Sequence, residues 1–140
     1  MILDRRISVK ALLRNGDDIL VLREKKGDNS GKFHFPGGHI EGEETLEEAL
    51  RREVFQETGI EEFEIGPPYF ACEWPAKIEG QLVRVVGIFY PCSTKQRDVV
   101  LSDEHDEYLW MPPADHSNHP MVSFSDEIIS HYLQPIDITP

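Results

Sequence analysis

The stretch REVFQETG, Arg52 to Gly59, carries two carboxylates one helical step apart, Glu53 and Glu57. At about 100° per residue both fall within roughly 20° of Leu46, near the middle of an apolar arc made by Leu46, Ala49, Leu50 and Val54. They are expected to point inward, or into a cleft beside the core. Two negative charges about 6 Å apart repel by roughly 3 kcal/mol at an effective dielectric of 20, and desolvation adds to that cost. Protonation of one partner, a nearby arginine or a divalent cation would each relieve it. Arg51 and Arg52 are expected to project away from the arc, toward Glu47 and Glu48 on the outer face. A hard cation such as Mg²⁺ takes oxygen ligands of this kind. Periodicity alone leaves one alternative open, a helix turned so that both glutamates lie at a solvated edge.

The element that positions these residues has clear ends. Thr45 with Glu48 three residues later forms a capping box, and Gly59 is a C-terminal stop, which predicts a helix over Leu46 to Thr58. Before it, Ile7 to Arg14 alternates like a half-buried strand, NGDD is a turn, and ILVLRE from Ile19 reads as the hairpin partner. A polar loop leads to FHFPGGHIEGEE from Phe33, a short strand running into a glycine-rich bend. After the helix, PPYFACEW and LVRVVGIFY read as strands, the second apolar enough to be central. EYLWM from Glu107 reads as one more strand, and SFSDEIISHYL as a closing helix capped by Ser123 or Ser125. Strands outnumber the helices that interrupt them, which gives an α/β sheet covered on both faces.

A chain of 140 residues, 39% hydrophobic, fits a single domain over residues 1–140. No apolar run approaches membrane-spanning length and the first residues lack a signal-peptide core, so a soluble, cytoplasmic protein is expected. Cys72 and Cys92 form no CxxC pair and read as reduced thiols. The net charge of -12 argues against nucleic-acid and anionic-membrane partners. Ten glutamates against two arginines between Glu41 and Glu64 concentrate that charge around the helix. Glu61, Glu62 and Glu64 read as a solvated edge.

Gly38, five residues to Glu44, and seven more to Arg52 opening REVFQETGI resembles the Nudix box, the signature of hydrolases acting on nucleoside diphosphates linked to another group. The match spans 23 of 140 residues and departs from the pattern at one position, Gln56, where the family has a glutamate. The resemblance implies a Nudix-type α/β/α sandwich with a mixed sheet and a Mg²⁺- or Mn²⁺-dependent pyrophosphohydrolase. It further implies that Glu53, Glu57 and, more weakly, Gln56 face the metal, with the Gly37 carbonyl as an added ligand. Glu44 and Arg52 would brace helix and loop, Glu53 or Glu104 would be the base that activates water, and Arg23, Phe35 and Gly38 would lie against the substrate. The implied partner is a small nucleotide: a nucleoside triphosphate, an oxidised nucleotide, ADP-ribose or a sugar nucleotide. A homodimer is left open.

Gln56 keeps a carbonyl oxygen but loses one charge. Two readings follow: an enzyme that works with Glu53, Glu57 and Glu104, or a nucleotide-binding module with little turnover. Among weaker signals, His116 and His119 lack the partners a zinc site needs and read as a loop. Asn118 is a conceivable base reader, and Pro75, 15 residues past Ile60, has a spacing associated with ADP-ribose hydrolases. Tyr69, Phe70 and Trp74 are available either to stack on a base or to fill the core.

Overall fold

A computed structural model describes residues 4–133. Its organising element is the long strand β1, Asp4–Asn15, which lies parallel to β7, Gln81–Ser93, over eleven consecutive residue pairs from Asp4↔Val83 to Arg14↔Ser93. A two-residue turn with Gly16 at φ 61° joins β1 to β2, Asp18–Glu24. The latter pairs antiparallel with β3, Phe33–His34, and with β8, His105–Met111. On the far side, β7 takes β5, Glu64–Ile65, and β6, Phe70–Ile78, both antiparallel. The sheet is therefore mixed, with the apolar strand β7 in its interior as its sequence requires. Pro75 sits on β6, whose only strand partner among the described residues is β7, so its missing N–H breaks no ladder.

Each face of the sheet carries its own apolar layer. Val9, Ala11, Leu13, Leu20 and Leu22 pack with Ala49, Leu50 and Val54 of α1, Leu46–Thr58. Leu12, Ile19, Val21, Phe35 and Phe89 pack with Ile128 and Ile129 of α2, Ser125–Leu133. Alternation along β1 and β2 sends successive side chains to opposite layers. A short 3₁₀ helix, Pro113–Asn118, links β8 to the α2 side.

Three details depart from the sequence reading. The Gly37–His39 segment, expected as a bend, is a short strand, β4, paired with β1 at Ser8↔His39, Val9↔Gly38 and Lys10↔Gly37. It can approach because Gly37 has φ 145° and no side chain; a Cβ there would lie 2.0 Å from the Val9 carbonyl oxygen. The second helix has no serine N-cap. Phe124, at φ 70°, precedes it, and the Ser125 hydroxyl donates backward to the Val122 carbonyl at 2.7 Å. Leu46, placed on the apolar arc, is 36% exposed at the first position of α1 and does not join the core. The glutamates at 61, 62 and 64 are exposed, and Cys72 and Cys92 are free thiols, the latter pushed up to about 12 by burial.

Candidate active site

The helix α1 begins and ends where its caps dictate. The Thr45 hydroxyl accepts the Glu48 N–H at 3.1 Å, the Glu48 carboxylate accepts the Thr45 N–H at 3.0 Å, and Gly59 closes the C-terminus in the left-handed region at φ 72°. With the helix so registered, Val54 and Glu57 face the sheet together. Glu57 is only 4% exposed. Its Oε1 accepts the Gly37 N–H at 2.7 Å, a bond that exists because β4 is docked on β1. Burial pushes this carboxyl up to about 8, with the neighbouring charges of Glu53 and Glu104 adding to the rise, while Lys10 and the Gly37 N–H oppose it.

Glu53 stands over Gly38, whose missing side chain makes the room; a Cβ there would come within 2.6 Å of the Glu53 carboxylate. Arg52 does not project to the outer face as periodicity suggested. Its Nε and Nη2 donate to the two oxygens of Glu44 at 2.6 and 2.9 Å, Nη2 reaches the His39 carbonyl at 3.1 Å, and Nη1 donates to Glu53 at 2.8 Å and to Gln56 Oε1 at 3.2 Å. A long side chain that leans toward the helix N-terminus meets the loop before that helix, which phase alone does not capture. Arg51 does bond Glu47, at 3.3 Å. Arg52 thus ties loop, β4 and α1 into one unit, and its charge is held by two carboxylates. Gln56 is exposed on the rim.

The turn before β8 brings a third carboxylate. Glu57, Glu104 and His105 offer donor atoms that all lie within 4.8 Å of one another. Glu104 is exposed and its backbone carbonyl is pinned by the Lys25 N–H at 3.1 Å. His105, beside it, is buried and was missed by the sequence reading, as were His34 and Glu24. The Nε2 atoms of His34 and His105 lie 2.7 Å apart, and Glu24 Oε1 is 3.0 Å from His34 Nε2. Burial holds both imidazoles below their usual range and therefore neutral near neutrality. His105 Nδ1 is buried without a partner. These contacts join residues about 70 positions apart across β2, β3 and β8, so no local pattern reveals them; the one visible signal is a histidine embedded in the acidic run DEHDE.

Beside this cluster opens a cavity of about 540 Å³ between the sheet and α2, lined by Lys10, Glu24, His34, Phe35, Trp74 and Phe124 among others. Phe35 is a core side chain, 1% exposed and edge-on to Phe89, that shows the cavity one side of its ring. Trp74 and Pro75 contribute to the wall, whereas Tyr69 donates its hydroxyl to the Ile128 carbonyl and belongs to the core. Arg23 lies outside the cavity lining, bound to Asp106 and Glu107 at 2.7 Å each, and Lys10 is the cation that lines the cavity. His116 bonds Asp126 and the Pro113 carbonyl, a structural role. Asn118 ends the 3₁₀ helix, away from the carboxylates.

The donor set fits a hard divalent cation: carboxylate oxygens, one of them buried with a single backbone N–H for a partner, packed against two glycines that admit no Cβ. Comparison with known proteins agrees. The NUDIX domain family matches residues 4–132. The chain belongs to the Nudix family. Nudix hydrolases cleave a pyrophosphate bond in nucleotide-linked substrates and generally use a divalent metal, and this chain is a pyrophosphohydrolase of that kind. It is 29% identical over 119 residues to nucleoside triphosphatase NudI of Escherichia coli O81 (strain ED1a), covering 79% of this chain and 84% of that protein. The solved structure of a MutT protein from Methanosarcina mazei Go1 superposes with a TM-score of 0.80 at 29% identity, covering 96% of this chain and 99% of that one. The Escherichia coli dihydroneopterin triphosphate pyrophosphohydrolase shares the fold, with a TM-score of 0.77 at 16% identity over 95% of this chain and 98% of that one. The expected α/β class and Nudix-type mixed sheet are thereby borne out. Among the described residues no helix is long and apolar enough to cross a membrane.

Proposed function

We propose that this Nudix hydrolase acts on a nucleoside triphosphate or a close relative of one, with Mg²⁺ or Mn²⁺ held by Glu53 and Glu57 and by the Gly37 carbonyl. The observation that carries the reading is the convergence of Glu57 and Glu104 beside His105, whose partner His34 lines an aromatic-walled cavity. At about 540 Å³ the cavity is within the range of small-molecule sites, and Trp74 and Phe124 offer faces for a base. The similarity to a nucleoside triphosphatase supports the triphosphate class over a sugar nucleotide.

In this reading the cation, when bound, withdraws charge from the phosphate oxygens and eases loss of a proton from water. The chain does the rest. Lys10 offers the phosphates a cation from the cavity wall, and the aromatic walls offer the nucleoside a surface that orients it for attack by water. Glu53 is already engaged by Arg52, whereas the Glu104 carboxylate has no partner among the described residues, which favours Glu104 as the base that takes the proton. Glu44 and Arg52 act as positioning residues, holding β4 and α1 so that Gly37 and Glu57 stay bonded. Gln56 bonds Arg52 from the rim, so its missing charge leaves the three carboxylates intact.

The test is a nucleotide panel with Mg²⁺ and with Mn²⁺, with product identification, repeated with Glu104→Gln and Glu57→Gln. A nucleoside monophosphate with pyrophosphate, and losses of roughly 10²–10⁴ in kcat for Glu104→Gln, are expected. Nucleotide binding without turnover by the wild type would leave only the binding-module reading.

A further inference from the structure

A second group of ligating atoms sits beside the carboxylate site. The His34 and His105 rings meet tip to tip: their centroids are 4.9 Å apart while the Nε2 atoms are 2.7 Å apart. Glu24 Oε1 lies 3.0 Å from the first nitrogen and 3.9 Å from the second, and Glu57 Oε2 lies 3.5 Å from the second. Both imidazoles are buried, at 7% and 4% exposure.

Four potential ligand atoms, two imidazole nitrogens and two carboxyl oxygens, thus converge on one small space. Two N–H groups cannot face each other across 2.7 Å, so one Nε2 donates and the other presents a lone pair. If His105 donates, the bare His34 nitrogen faces Glu24 at 3.0 Å; if His34 donates, the bare His105 nitrogen faces Glu57 at 3.5 Å. The first arrangement sets two acceptors, His34 Nε2 and Glu24 Oε1, against each other in a buried setting, where such contacts cost most. Lys10, on β1, is the cation whose field reaches Glu24, Glu57 and both rings.

We infer that Glu24, His34 and His105 form a transition-metal site, for a Zn²⁺- or Co²⁺-like dication, between the carboxylate cluster and the cavity. Imidazole nitrogen selects such ions over Mg²⁺, which prefers oxygen and keeps its waters. Bonds of about 2.0–2.2 Å place tetrahedral ligand atoms roughly 3.4 Å apart. The present separations of 3.0 and 3.9 Å bracket that value, and the 2.7 Å contact needs to open by under about 1 Å. The frame is preorganised: Glu24 ends β2, His34 is on β3 and His105 starts β8, three strands bonded side by side, with the Glu24 N–H on the Lys32 carbonyl at 2.9 Å. Glu24 and His34 also line the cavity, so an ion here meets whatever the cavity binds.

The probe is Co²⁺, titrated into metal-free protein with Mg²⁺ in large excess and followed by its visible ligand-field absorption and by calorimetry. One equivalent is expected to stay bound against Mg²⁺, with the stronger absorption of a site holding fewer than six ligands. His34→Gln and Glu24→Gln should each weaken it by roughly 10- to 100-fold, and Glu53→Gln by less than about threefold. Thermal melts confirm that each variant is folded; should His34→Gln fail to fold, Glu24→Gln decides. Complete displacement of Co²⁺ by Mg²⁺, or an affinity indifferent to the Glu24 and His34 substitutions, overturns the site and leaves the pair as a hydrogen-bonded strut.

Discussion

Adding Mg²⁺ to the metal-free protein should expel a proton, and the number expelled follows from Glu57. Its carboxyl is pushed up to about 8 by burial, so about nine-tenths of it is protonated near pH 7, half near pH 8 and roughly a tenth near pH 9. Coordination requires the carboxylate. Binding should therefore release about 0.9 proton per ion near pH 7, falling to about 0.1 near pH 9, and the apparent affinity should rise about tenfold between them. Calorimetric titration in two buffers of different ionisation enthalpy counts the protons directly. The same shift sets the stability of the metal-free state. A folded value above the ordinary 4.5 means that the native state binds the extra proton, so this contribution is fully present below about pH 4.5 and is lost as pH rises through about 8. At 1.36 kcal/mol per unit, the shift from 4.5 to about 8 amounts to roughly 5 kcal/mol, an upper figure that Mg²⁺ should offset. His34 and His105 are held below their usual range and add little above pH 7. A proton count near zero at pH 7 would refute the reasoning, as would one independent of pH between 7 and 9.

Three other substitutions probe the frame. Gln56→Glu places a carboxylate beside Arg52 on the exposed rim and should tighten Mg²⁺ by no more than about threefold; tenfold tightening would mean that the new group swings into the metal's first shell. Gly37→Ala drives a Cβ to 2.0 Å from the Val9 carbonyl and should destabilise by about 3 kcal/mol or more in chemical denaturation, where a loss under about 1 kcal/mol would contradict the docking of β4. Trp74→Ala should raise KM for the nucleotide several-fold with kcat little changed, and unaltered kinetics across the panel would remove the base from this wall.

The helix α1 was legible to the residue, because its caps are local: Thr45, Glu48 and Gly59 determine where it starts and stops, and the phase that follows aims Glu57 inward. The hairpin of β1 and β2 and the central position of β7 were legible for similar reasons, a turn signal and an almost fully apolar run. What failed depended on partners distant in the chain. Gly37–His39 is a strand only because β1 accepts it, Arg52 turns toward Glu44 only because the loop folds back over the helix, and the His34–His105 pair exists only because β3 and β8 both flank β2. Periodicity registers which way a residue faces on its own element, not what another element brings to it.

The parallel ladder of β1 with β7 has a consequence for the order in which the molecule comes together. Each residue of β1 waits for a partner roughly 80 positions later, and parallel pairings over such spans form slowly because a long loop must close first. The capped helix and its glycine strand can be in place early, but Glu104 and His105 lie beyond β7 and join only when β8 zips onto β2. Any intermediate lacking β8 therefore carries Glu53 and Glu57 without their third carboxylate. The full set of carboxylates therefore exists only once β8 is paired with β2, so the site depends on the whole sheet and not on the helix alone.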